Sequence, residues 1–208
     1  MSLSLTVELI DRHWPHAPHS LVDGMAKTSA AVFAKYGIAT AVELADFMAQ
    51  GSEETGGGLD IEENLNYSAT RLCQVWPARF PRYACAAPFA HNPRALADHV
   101  YGARYGNKAG TDDGWNFRGR GFIQVTFKTW YEKLSVATGL DLIDKPDLVN
   151  APEHFLEVAA AFWKFDAINP FADRGDFRGE TLRLNGGYIN MAARLQWRAV
   201  WRRALNVS

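Results

Sequence analysis

Helix start and stop signals recur along this whole chain while strand-type alternation is scarce, and that imbalance most restricts the fold. Thr40-Ala-Val-Glu43 is a capping box: the threonine accepts from a first-turn N–H and the glutamate reaches back to the cap. Val42, Ala45, Met48 and Ala49 then recur at helical spacing toward Gln50. Ser20 to Tyr36 reads as a helix stopped by Gly37. Asn92-Pro93 supplies a cap and a proline whose missing N–H costs nothing at the first helical position; Gly102 follows the run Ala95 to Tyr101. Pro152 opens a stretch from Glu153 to Phe165, and a last helix is expected over Asn190 to Leu205. The best strand candidate is short, Phe122-Ile123-Gln124-Val125-Thr126. A mainly α fold is expected.

The 208 residues suffice for one well-buried core, and with no linker visible the chain reads as a single domain over residues 1–208. Lys and Arg number 22 against 23 Asp and Glu, so no global field draws the protein to nucleic acid. Five arginines and no acid lie between Thr181 and Ser208, which reads as a core-docked helix with a basic outer face. The N-terminus lacks a basic start followed by an apolar run, so no secretory signal is expected and synthesis is placed in the cytoplasm. Val158 to Trp163, the longest apolar stretch, is too short to span a bilayer, and no stable membrane insertion is expected. Cys73 and Cys85 have no second pair to suggest zinc and are expected as free thiols. His13, His16 and His19 are three apart, but Pro15 and Pro18 break the helix that would align them, so no metal or other cofactor is expected.

Two loop-like stretches concentrate unusual residues: Gly51 to Tyr67, and Gly106 to Gly121. The first places five acids (Glu53, Glu54, Asp60, Glu62, Glu63) within eleven positions around three consecutive glycines. Most acidic loops are solvated surface, and some hold calcium, although the alternating ligand order of an EF-hand is missing. A third reading is chemical. Glycosidic cleavage needs one carboxylic acid to protonate the leaving oxygen and one carboxylate to activate water or attack carbon. A glutamate ending a helix, a glycine turn and a second glutamate would set two carboxyls across a cleft.

Longer blocks extend the pattern. Ala49-Gln50, Glu54-Thr55-Gly56-Gly57, Glu63-Asn64-Leu65-Asn66-Tyr67-Ser68, Trp76 to Phe80, Val100 to Asn107, Asp113 to Thr126 and Leu184-Asn185-Gly186-Gly187 stand in the order found in glycoside hydrolase family 19. The chain resembles that family over about Leu5 to Leu205, and its phage and bacterial lysozyme-like branch more than the plant chitinases. The resemblance implies a mainly α, α+β lysozyme-like fold: a helical two-lobed domain with a substrate cleft and at most a small β element. It implies Glu54 as general acid and Glu63 as general base of an inverting reaction, with Thr126 holding the nucleophilic water. Gln124, Asn185, Arg194, Tyr67 and Trp130 are implied at the substrate site, Arg194 beside the acid and able to tune its charge. Two positions depart from the family pattern: Glu53 stands for the usual histidine, and Trp130 for an asparagine. The polymer implied is peptidoglycan, cut by a monomeric endolysin-type N-acetylmuramidase (lysozyme); the alternative is chitin, or an inactive sugar-binding protein. Reaching the wall would then require host lysis or a membrane-permeabilising partner such as a holin.

Overall fold

A computed structural model describes residues 3–207. Helix α1 covers Val7–His13 and α2 covers His19–Tyr36, closed by Gly37 in the left-handed conformation. Helix α3, Ala41–Glu54, begins on the expected capping box, with Thr40 Oγ1 accepting from the Glu43 N–H at 3.1 Å and the Glu43 carboxylate accepting from the Thr40 N–H at 2.7 Å. Helices α4 (Ala69–Val75), α5 (Tyr83–Ala86) and α6 (Pro93–Tyr101) follow, α6 capped by Asn92 as expected. The short α7 (Asp113–Asn116) interrupts the second expected loop, and α8 runs over Lys128–Thr138. The last four are α9 (Phe155–Phe165), α10 (Asn169–Asp173), α11 (Phe177–Asn185) and α12 (Met191–Ala204).

These helices bury two separate apolar clusters. The large one joins α1, α2, α3, α8, α9 and α12, with α12 lying along α3 and α2 along α9; Trp14, Phe33, Phe47, Trp163 and Trp201 fill it. The small one is built from Leu65 and the inner faces of α4, α5 and α6, around Leu72, Phe80 and Leu96. A two-lobed, mainly helical fold results, with the substrate-sized cleft between the lobes.

Three local expectations change. The stretch Phe122 to Thr126 is no strand. Arg120 and Val125 exchange hydrogen bonds across a tight turn in which Gln124 takes a φ of 51°, and among the described residues only isolated bridges occur in place of a sheet. Helix α3 runs past Gln50 through Gly51 and Ser52 to Glu54, so the first loop starts later than its glycine suggested. This helical position requires glycine because the Phe122 ring occupies the place of a side chain: a Cβ there would lie 1.9 Å from that ring. Helix α9 starts at Phe155 rather than beside Pro152. Cys73 and Cys85 are free, and among the described residues no helix is long and apolar enough to cross a membrane.

Candidate active site

The end of α3 is held from below. Ser52 Oγ accepts the indole N–H of Trp14 at 2.9 Å and of Trp201 at 2.8 Å while donating to the Met48 carbonyl, so three buried polar groups are satisfied at one atom. Two residues on, Glu54 closes the helix and points into the cleft. The chain then turns through Gly56, Gly57 and Gly58, all at positive φ, where Gly58 passes so close to Trp14 that a Cβ would meet its ring at 2.7 Å.

Past that turn the backbone crosses the second motif segment. The Glu63 N–H donates to the Gly119 carbonyl at 2.9 Å and the Gly121 N–H to the Ile61 carbonyl at 2.8 Å. Glu62 turns away from the cleft and is held by the guanidinium groups of Arg118 and Arg120, both almost fully buried. Arg118 also stacks on Trp115, 3.6 Å from the ring centre. The two arginines therefore brace the floor, and Glu63 is left facing the cleft, where the Tyr101 hydroxyl donates to its carboxylate at 2.5 Å.

The cleft has a volume of about 540 Å³, with Glu54 and Glu63 in one wall system together with Thr126, Gln124, Trp130 and Asn185. Gly119 is part of its lining. A methyl group there would sit 3.1 Å from Gln124 Oε1 and 3.4 Å from both Glu63 Cβ and Thr126 Oγ1, so those three side chains converge on one spot. Asn185 ends α11 just before Gly186, whose left-handed φ of 67° closes the helix. Trp130 lies on Phe162, ring centres 4.4 Å apart.

Arg194 and Tyr67 are placed elsewhere. Arg194 is 2% exposed and lies behind Glu54: one terminal nitrogen is bonded to the Glu54 carboxylate and the other donates to Gln50 Oε1 at 2.8 Å. It lies outside the cleft wall on the protein side of Glu54, where its charge opposes the rise of that carboxyl's pKa. Tyr67 packs edge-on against Trp76 in the small cluster, off the cleft wall. Glu53 is half-buried and is not in the wall.

Burial raises the pKa of both cleft carboxyls. For Glu54 desolvation outweighs the opposing pull of the Arg194 guanidinium, and the Glu53 charge adds a smaller upward push. For Glu63 desolvation again comes first, opposed by the Tyr101 hydroxyl, the Gly119 backbone and Arg118. Burial also drives the Tyr101 hydroxyl well above its ordinary range, so it remains a donor. Deeper, Gln50 donates to Thr181 Oγ1 at 2.9 Å, and beside Thr181 stands Glu180, wholly buried with neither carboxyl oxygen hydrogen-bonded. Burial, then neighbouring Asp46, push the Glu180 carboxyl up to about 9. Asp46 itself is claimed by Arg198, at 2.8 and 2.9 Å, and by Arg202.

Several wall residues escaped the sequence reading. Tyr101 and Phe127 lie within or beside quoted blocks but carried no assigned role, and Phe162 and Arg183 arrive from α9 and α11. The signals available were the block Val100 to Asn107 for Tyr101 and, for Arg183, its place in the acid-free basic segment two residues before Asn185. Among the described residues no group of three or more His, Cys, Asp or Glu is placed to hold a metal ion.

Comparison with known proteins covers both sequence and shape. Residues 24–169 match the family model described as chitinase class I, glycosyl hydrolase family 19. A glycosyl hydrolase family 19 domain-containing protein of Haemophilus influenzae is 32% identical over 190 residues, 90% of each chain. In shape, a chitinase C variant superposes with a TM-score of 0.64 at 17% identity, covering 98% of this chain and 93% of the other. The class IV chitinase of Zea mays gives 0.57 at 16% identity, covering 98% and 94%. At such identities the two structures speak for the fold alone.

Proposed function

The chain belongs to glycoside hydrolase family 19, and from that premise we propose that it cleaves β-1,4 bonds of an amino-sugar polymer by single displacement with inversion. The observation that carries the reading is the pairing of two cleft carboxyls whose pKa values burial raises, one held by a cation and the other by a neutral donor. Glu54 is the acid. Burial favours its protonated form, and Arg194 stabilises the carboxylate that forms once the proton has gone to the leaving oxygen. Glu63 is the base. The Tyr101 hydroxyl favours its ionised form, and Thr126 Oγ1 lies beside it to hold the water whose proton Glu63 removes. As the C1–O bond breaks, that water attacks the opposite face of the sugar, which calls for carboxyls roughly 6.5–9.5 Å apart. Gln124 and Asn185 offer amide donors and acceptors to N-acetyl and hydroxyl groups, and Trp130 a flat apolar face.

The polymer we assign is peptidoglycan, cut between N-acetylmuramic acid and N-acetylglucosamine. The block from Glu63 to Ser68, closest in type to the lysozyme-like branch, supports it. Chitin is the second reading, favoured by the chitinase names of the structural relatives. Mass spectrometry of borohydride-reduced digests separates them: muramitol at the new ends supports the muramidase, whereas glucosaminitol from peptidoglycan, or cleavage of chitin alone, overturns it. Proton NMR of the first product is expected to show the α-anomer.

A further inference from the structure

The cleft wall contains one feature that acid–base chemistry leaves unused. Arg183, on α11, lines the cleft with its side chain 53% exposed. Its Nε donates to the Asp166 carbonyl at 3.1 Å and one terminal nitrogen pairs with the Asp166 carboxylate at 3.2 Å. Asp166 is itself largely buried at the end of α9, so the fork is anchored on one side. Among the described residues the other terminal nitrogen has no hydrogen-bond or ion-pair partner, which leaves it for a ligand. A second cation stands near: the Lys133 ammonium lies 4.6 Å from the centre of the Trp130 ring and 5.2 Å from that of Phe165. The Asp166 carboxyl, raised by burial, feels both Arg183 and Lys133. Arg183 thus pairs with Asp166 on a cleft that Trp130 and Phe162 also line, and the Lys133 charge acts on the same carboxyl.

We propose that Arg183 is a specificity-determining residue that reads a carboxylate carried by the polymer, so that the cleft prefers an acidic amino-sugar chain to a neutral one. A guanidinium fixed by two contacts loses little freedom on binding and matches carboxylate geometry. A neutral poly-N-acetylglucosamine offers it only uncharged hydroxyl and carbonyl acceptors, whereas a lactyl ether or a stem peptide brings a carboxylate to the sugar edge. The inference rests on the glycosidase reading of the same cleft and adds the charge of its substrate.

The test is steady-state kinetics of wild type, Arg183→Gln and Arg183→Lys on soluble peptidoglycan strands, on the same strands with carboxyls amidated, and on chitohexaose. Wild type should lose about tenfold in kcat/KM on amidation, mainly through KM, about what one charge-assisted hydrogen bond contributes. Arg183→Gln should lose about tenfold more on the acidic strands than on chitohexaose, become indifferent to amidation, and be partly restored by Arg183→Lys. Equal losses on acidic and neutral polymers, or sensitivity to amidation that survives Arg183→Gln, would overturn the proposal and leave Arg183 a structural partner of Asp166. If wild type cleaves no polymer, the glycosidase reading falls. Binding of the acidic and amidated strands to wild type and Arg183→Gln, followed by calorimetry, then decides the charge proposal separately: discrimination that disappears in the variant upholds it, and equal binding of both strands rejects it.

Discussion

Glu54 ends a fourteen-residue helix whose residues from Glu43 to Ser52 are all buried, and Arg194, Gln50, Thr181 and Ser52 fix what lies beneath it. Glu63 instead rides on extended chain between the two clusters, tied by one backbone bond to Gly119 and by the hydroxyl of Tyr101 from α6 of the small cluster. The proposed acid therefore sits on the large buried cluster and has a cation as its partner. The proposed base spans a boundary and has a neutral donor. A carboxyl that must lose its proton late gains from a charge waiting behind it, whereas one that must stay ionised gains from a hydrogen bond that never titrates in the working range.

The largest effect is expected where the buried mount loses its cation. Arg194→Ala leaves Glu54 and Gln50 without their buried partner and should destabilise the fold by about 3–5 kcal/mol, read from chemical denaturation. A loss below about 1 kcal/mol would mean that the pair does not hold α12 against α3 as described.

Glu180 lies in the same large-cluster network and sharpens the comparison with a pH dependence. Its folded pKa is raised, to about 9 from an ordinary 4.5, so the native state holds a proton that the unfolded chain releases. Its contribution to stability is therefore undiminished below the unfolded value and declines as pH climbs through that window. Glu180→Gln should be more stable than wild type by about 2 kcal/mol near pH 8, with the gain shrinking toward pH 5. A gain independent of pH would contradict a protonated Glu180.

The boundary mount should respond in activity rather than stability. Tyr101→Phe removes the donor that favours ionised Glu63, so the Glu63 pKa rises and the acid limb of the kcat profile moves to higher pH. Turnover below that limb should fall about tenfold, with the denaturation midpoint nearly unchanged. An unmoved acid limb would break the link between Tyr101 and the base.

The contrast also marks what was legible in the residues. Capped helices were, because capping is local: Thr40 with Glu43, and Asn92 with Pro93, announce themselves within four positions. The extension of α3 through Gly51 was not, since the ring that makes glycine necessary there belongs to Phe122, far along the chain. Alternation from Phe122 to Thr126 looked like a strand but serves a turn that aims Gln124 and Thr126 at the cleft. Both carboxyls could be found from the local blocks, yet their partners could not be found by spacing: Tyr101 is 38 residues from Glu63, and Arg194 is 140 from Glu54. Family likeness supplied Arg194 as a neighbour of the acid, and the structure moved it from the substrate side to the protein side.

The division of labour between the two mounts is open to one direct measurement. Glu54→Gln and Glu63→Gln, checked for native folding by circular dichroism, should each slow cleavage of the natural polymer by about 10²–10⁴-fold. On an amino-sugar oligomer with a dinitrophenyl leaving group, which departs without protonation, Glu54→Gln should recover most of its rate and Glu63→Gln should not. Recovery by Glu63→Gln with none by Glu54→Gln would reverse the assignments, and equal recovery by both would contradict an acid and a base with separate tasks.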